Sequence, residues 1–102
     1  MYYIYILYST SSDLFYVGYT NNYINRLSQH NNQDNFNTYT SKYRPWLLKA
    51  VFECSPIKQE AVRIERFIKK QKSRKLLEQL ISIDFIPTGT LSQLVRVPDL
   101  RD

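Results

Sequence analysis

Residues 3–20 read YIYILYSTSSDLFYVGYT, and this stretch decides the fold. Its first six residues, Tyr3 to Tyr8, are aromatic or aliphatic, with β-branched Ile4 and Ile6, which is the composition of a strand. Alternation puts Tyr3, Tyr5 and Leu7 on one face and Ile4, Ile6 and Tyr8 on the other. Neither face is polar, so this strand is expected to lie centrally in its sheet, covered on both sides. The turn residues Ser9 to Asp13 follow, and Leu14 to Tyr19 reads as a second strand. A connection this short joins antiparallel neighbours. Gly18 interrupts the second strand, which signals a bulge or a close approach of the backbone to a partner. The hairpin can also bring two phenols, Tyr5 and Tyr16, side by side on one face.

Beyond the hairpin, Asn21 or Asn22 can cap a helix beginning near Tyr23. Tyr23, Ile24 and Leu27 form its expected packing stripe, while Arg26 and His30 stand four apart on a different face. Asn31 to Ser41 has no period and reads as a long loop, ended by Pro45. Trp46 to Glu53 is a third strand, anchored at its start by the indole. Ser55-Pro56 supplies a hydroxyl cap and a first-turn proline for a helix whose apolar side is Ala61, Ile64 and Ile68. Ser73 can cap a shorter helix carrying Leu76, Leu77, Leu80 and Ile81. After Pro87 and Gly89 the pattern is lost. The chain is thus expected to be α+β in the order β-β-α-β-α-α, a three-stranded antiparallel sheet flanked by helices. Residues 1–86 form the expected domain and residues 87–102 a loosely attached tail.

A chain of 102 residues fits one domain, and with 43% apolar residues it can bury a core rather than stay disordered. Cys54 and His30 are single, so an internal disulfide and a zinc finger are both excluded. The cysteine usage suits a reducing, cytoplasmic setting. The opening MYYIYILYS reads as a strand rather than a secretion leader, and no stretch approaches the roughly 20 apolar residues of a membrane span. Net charge is +5, and from Lys58 to Lys75 eight basic residues face only Glu60 and Glu65. Such a block suits a polyanion bound in a salt-dependent way, or else an ordinary solvated helix face.

Few residues could carry chemistry. The first fifty hold only Asp13 and Asp34 as carboxylates, both in loops, and there is no glycine-rich phosphate loop. Glu65 borders the buried side of its helix, where a carboxylate is either paired, here with Lys69 at i+4, or used to hold a metal. Tyr19, Trp46 and Phe52 read as packing, while Tyr39 and Tyr43 are undecided between packing and a role on a nucleic-acid path.

At this point the chain resembles the small, stand-alone members of the GIY-YIG nuclease superfamily. Tyr3-Ile4-Tyr5 is similar to the first motif and Tyr16-Val17-Gly18 to the second. Arg26, ten residues after Tyr16, and His30, four further on, stand where the family carries them. TSKYRPW at residues 40–46 and QEAVRIERFIKKQKSRK at 59–75 resemble the lead into the third strand and the Glu-bearing helix with its basic run. The likeness covers roughly residues 2–82. It implies the sheet and flanking helices derived above, and a Mg²⁺-dependent hydrolysis of phosphodiesters in DNA, with Mn²⁺ as a substitute. By this resemblance Tyr16 is the general base or water-positioning group, Tyr5 its neighbour, Arg26 the phosphate clamp and Glu65 the sole protein ligand of the metal. His30 would help orient the phosphate or the tyrosine. Tyr3 stands where the motif has Gly, and no Asn follows the Glu-bearing helix, whereas larger members often carry one there.

Two functions follow as expectations. The first is an endonuclease, structure-selective or weakly specific, acting on branched or damaged DNA as in repair. The second is a DNA-binding or accessory module with negligible turnover. Lys42, Arg44, Arg66, Lys69, Lys70, Lys72, Arg74 and Lys75 are the expected nucleic-acid contacts. RNA stays open beside DNA, since nothing here reads a 2′-hydroxyl recognisably; no membrane partner is expected, and the oligomeric state is not legible.

Overall fold

The computed structural model describes residues 1–98. Strands β1 (Tyr2–Ser9) and β2 (Leu14–Thr20) are followed by helices α1 (Tyr23–Asn32) and α2 (Thr38–Ser41). Strand β3 (Trp46–Ser55), helices α3 (Lys58–Gln71) and α4 (Arg74–Ile81), a 3-10 turn (Gly89–Leu91) and a short strand β4 (Val95–Arg96) follow among the described residues. The sheet is antiparallel in the order β2-β1-β3-β4. The apolar-on-both-faces reading of β1 holds: it lies between β2 and β3 and feeds two separate cores.

On one side Ile4, Ile6, Val17, Ala50 and Phe52 meet Ala61, Ile64 and Ile68 of α3 and Leu80 of α4. On the other, Tyr5, Leu7, Val51 and Trp46 are packed by Tyr23 and Leu27 of α1. Burying such side chains contributes about 1.5–3 kcal/mol each, so both layers are needed to offset the entropy of ordering the chain.

Local chemistry sets the helix ends. The Asn22 side chain accepts from the Asn25 N–H at 3.0 Å, and the Ser73 hydroxyl accepts from Leu76 N–H at 3.0 Å. Between them α3 stops because Lys72 takes a left-handed conformation, φ 49°. Trp46 anchors β3 as its position suggests: its indole N–H donates to the Thr40 carbonyl at 2.8 Å and its backbone N–H to Asn31 Oδ1 at 2.7 Å.

Four features differ from the sequence reading. Ile24 is 71% exposed, so the α1 stripe is Tyr23 and Leu27 alone; the helix sits with Arg26 and His30 turned inward instead. The Ser55 hydroxyl accepts from Ile57 N–H at 3.0 Å while β3 runs on to Ser55, so the serine makes a turn and the helix cap is Ile57. Inside the expected loop, Asn37 caps the short helix α2 through bonds from the N–H groups of Tyr39 and Thr40.

The fourth concerns the segment expected to hang loosely. Leu91 and Leu94 enter the α3/α4 core, and β4 pairs with Phe52 and Glu53 of β3. The Arg96 guanidinium donates to the carbonyls of Leu80 and Ser82 and lies 4.9 Å over the Phe52 ring. Two leucines three apart and a two-residue strand are too short to show as a period. Residues 99–102 of that segment lie outside the described residues. No helix among the described residues is long and apolar enough to cross a membrane.

Candidate active site

The site begins with a missing side chain. Gly18 faces Tyr5 across the β1/β2 ladder, and a Cβ at Gly18 would clash with the Tyr5 hydroxyl and ring. Only glycine lets the Tyr5 ring lie flat across the edge strand, so the close approach suggested by Gly18 is made by the chain's own tyrosine. Tyr16, two residues before Gly18 on the same face, becomes the diagonal neighbour of Tyr5, with ring centroids 6.4 Å apart.

Helix α1 brings Arg26 and His30 to these phenols. His30 is buried, its ring edge-on to Tyr16 at 4.9 Å and to Phe36 at 5.0 Å. Its Nε2 is 2.9 Å from the Tyr5 hydroxyl and its Nδ1 is 2.9 Å from Thr40 Oγ1. Burial first, then the positive charges of Arg26 and Arg44, push the His30 pKa down to about 4, so the imidazole is neutral near pH 7. One proton arrangement satisfies every group. The Thr40 hydroxyl donates to the Asn37 carbonyl, at 3.4 Å, and accepts from His30 Nδ1–H. Nε2 then accepts from the Tyr5 O–H. Burial, and next to it the neighbouring Tyr16, raise the Tyr5 pKa well above the ordinary phenol range against the pull of Arg26, so Tyr5 keeps its proton.

Tyr16 is differently placed. Its oxygen accepts from Asn37 Nδ2 at 3.2 Å, which leaves its own proton uncommitted and one lone pair open. The ammonium of Lys69 lies 5.1 Å over its ring. Asn37 therefore works at both ends, its Oδ1 capping α2 and its Nδ2 holding Tyr16.

Strand β2 is a free edge of the sheet; α3 packs across it from one face, and Arg26 reaches the same edge from α1 on the other. Between them opens a polar cleft of about 350 Å³ whose lining includes Tyr5, Tyr16, Gly18, Arg26, Lys58 and Glu65. Glu65 lies one position past the buried Ile64, and its side chain is 14% exposed. Its carboxylate pairs with Lys69 at 3.4 Å, so the two alternatives posed by the sequence, a local ion pair and a cleft-facing carboxylate, coexist. Arg26 stacks 5.2 Å over Phe36 and forms no ion pair among the described residues. A stacked, unpaired guanidinium in a polar cleft is suited to a phosphate.

Among the described residues no three His, Cys, Asp or Glu side chains gather to hold a metal. A cation here would rest on a single carboxylate together with waters and substrate oxygens, a mode of binding open to Mg²⁺. Glu65, largely sheltered and paired among the described residues with a long flexible lysine, is the residue that would hold it.

The cations of the basic block separate in space. Lys58 lines the cleft and Lys69 pairs with Glu65 at its margin, Lys72 follows at the end of α3, and Arg66, Lys70 and Lys75 are exposed. Arg74 is committed to Asp13 and Glu78 and lies over Phe15. Arg44 donates to the His30 carbonyl at 2.8 Å and pairs with Asp34 at 2.7 Å, and Lys42 is exposed just after α2. Sequence reasoning missed Phe36, Asn37 and Thr40, which lie in an aperiodic stretch. Lys58 could have been found, since it is seven residues, two helical turns, before Glu65.

Residues 1–78 match the family model of the GIY-YIG catalytic domain. No curated protein matches the chain.

Proposed function

This chain belongs to the GIY-YIG catalytic-domain family, and from that premise we propose that it is a divalent-metal-dependent endonuclease hydrolysing phosphodiester bonds in DNA. The observation that carries the reading is the meeting of Tyr5, Tyr16, Arg26 and Glu65 on one polar cleft at the sheet edge. One carboxylate, two phenols and an unpaired guanidinium are an odd set for peptide or glycoside hydrolysis. They suit a reaction in which charge grows on phosphate oxygens.

In this reading Arg26 grips the scissile phosphate through paired N–H groups, and its hold strengthens as charge builds up in the transition state. Tyr16 receives the attacking water through its open lone pair, as base or as positioning group. Tyr5, kept protonated and tethered to His30, fixes the direction in which that water can lie. Neutral His30 acts through Tyr5 and so is a positioning residue. Lys58 and Lys69 offset the phosphate charge that Glu65 would otherwise repel. Mg²⁺, or Mn²⁺ in its place, held by Glu65 would supply Lewis-acid polarisation of a phosphoryl oxygen and stabilise the leaving oxyanion. The chemistry breaks one P–O bond and forms one to water, cutting one strand at a time. Contacts to phosphate position a protein without reading sequence, so selection is by DNA structure, as would serve repair in the cytoplasm.

The test is cleavage of labelled single-stranded, duplex, nicked, flapped and four-way DNAs, with their RNA counterparts, under Mg²⁺, Mn²⁺ and EDTA. Metal-dependent cutting that disappears in Glu65→Ala supports the nuclease. A second reading, a DNA-binding module with negligible turnover, is favoured by the Lys69 ion pair that neutralises Glu65. Salt-sensitive binding that is unchanged in Glu65→Ala, with no cutting of any substrate, would establish it instead.

A further inference from the structure

Along the free edge of β2 a second cleft follows the first, and Tyr16 lines both. Its volume is about 390 Å³ and its chemistry is different. Ile68 and Leu77 give it apolar surface beside Phe15, whose ring Arg74 overlies, Tyr39 adds an aromatic wall, and Lys69 and Lys72 a cationic rim. Tyr39 is 45% exposed, with its ring tilted 30° to Tyr16 at 6.4 Å. Lys72 makes no ion pair among the described residues and projects where α3 ends.

We propose that this second cleft is a subsite for an unpaired nucleobase adjacent to the phosphate held in the catalytic cleft. Its lining matches a nucleotide in each part: apolar and aromatic surface for the faces of the base, two ammonium groups for its phosphate. Along one flank of α3, Lys58 and Glu65 line the first cleft, and Lys69, with Lys72 just past the helix end, lines the second. A strand following this flank puts a phosphate at Arg26 and Glu65 and its neighbouring base against Tyr39. Bases in a duplex are stacked on both faces and cannot enter such a cleft, so the subsite favours DNA that is frayed, flapped or single-stranded beside the cut. The proposal rests on the nucleic-acid reading of the catalytic cleft and names the feature that gives it structural selectivity.

The experiment compares binding, in EDTA, of a flapped DNA with the same DNA carrying abasic residues in the flap, so that every phosphate is retained. The wild-type protein is expected to bind the intact flap roughly tenfold more tightly, the effect of stacking one base. Tyr39→Ala should lose that difference while binding plain duplex as before, and Tyr39→Phe, which keeps the ring, should retain it. Equal binding of intact and abasic flaps by the wild-type protein, or an unchanged difference in Tyr39→Ala, would overturn the subsite. Parallel cleavage with Mg²⁺ keeps the two ideas apart. Cutting without a base effect rejects the subsite alone, and a base effect without cutting rejects the nuclease while sustaining the subsite.

Discussion

Strand β1 sends Ile4 and Ile6 to one side of the sheet and Tyr5 and Leu7 to the other, and the two sides are held by different forces. The α3/α4 side is filled by aliphatic chains and Phe52, whose attraction is non-directional and grows with buried area. The α1 side combines packing with a directed chain of bonds from Tyr5 through His30 and Thr40 to Asn37. Volume alone would let the first side repack, while the second is tied to a single geometry. The lesson is that stability and chemistry are divided between two faces of one sheet and meet only at its edge, at Gly18 and Glu65.

Adjacent residues on α3 give the sharpest way to break that division. Glu65→Ala is expected to cut metal-dependent cleavage by at least about a hundredfold, with little change in the thermal midpoint. Ile64→Ala, one residue away but wholly buried, should instead cost about 2–5 kcal/mol in a denaturant titration. If both variants lost stability equally, the two faces would not be separate. Gly18→Ala tests the meeting point. Its methyl group must displace the Tyr5 ring, so a loss of about 1–3 kcal/mol should accompany a loss of cleavage.

A smaller effect lies in the acid range. Folded His30 titrates near 4 against an ordinary 6.5, so between these values the unfolded chain binds a proton that the folded chain refuses. The stability it contributes is fully present above about pH 6.5 and lost progressively as pH falls towards 4. Between pH 7 and pH 5 the wild-type protein should lose about 2 kcal/mol more than His30→Gln, as read from paired unfolding curves. The smallest expected change is in Lys69→Met. Releasing Glu65 from a half-exposed ion pair should tighten Mn²⁺ binding by about two- to fivefold without DNA, measured by titration of the free ion signal.

Much of this was legible beforehand because it depends on short-range periodicity. The alternation of residues 3–8, the Ser73 cap and the Ala61, Ile64 and Ile68 stripe each lie within a few residues and were read correctly. Ile24 was misassigned because an α1 stripe of three turns leaves the rotation of the helix on the sheet undetermined, and tertiary contact chose Arg26 and His30 as the inward side. The role of Asn37 was hidden by its place in an Asn- and Thr-rich loop, where composition says only that the backbone turns. A polar anchor of the site is thus supplied from the stretch before β3, although the residues after α3 contain no Asn.

By itself the sequence determined the hairpin, the helices, the double-sided burial of β1 and a short roster of groups able to act on a phosphodiester. Those properties are local, set by backbone sterics and by the spacing of apolar side chains. Only the tertiary structure decided which members of the roster meet and which cations are free to meet a ligand. Arg74 and Asp13 are 61 residues apart and bonded, Arg44 is taken up by Asp34 and the His30 carbonyl, and Lys72 is left unpaired among the described residues. Hydrogen bonds and ion pairs act over a few ångströms of space, and distance along the chain does not fix distance in space.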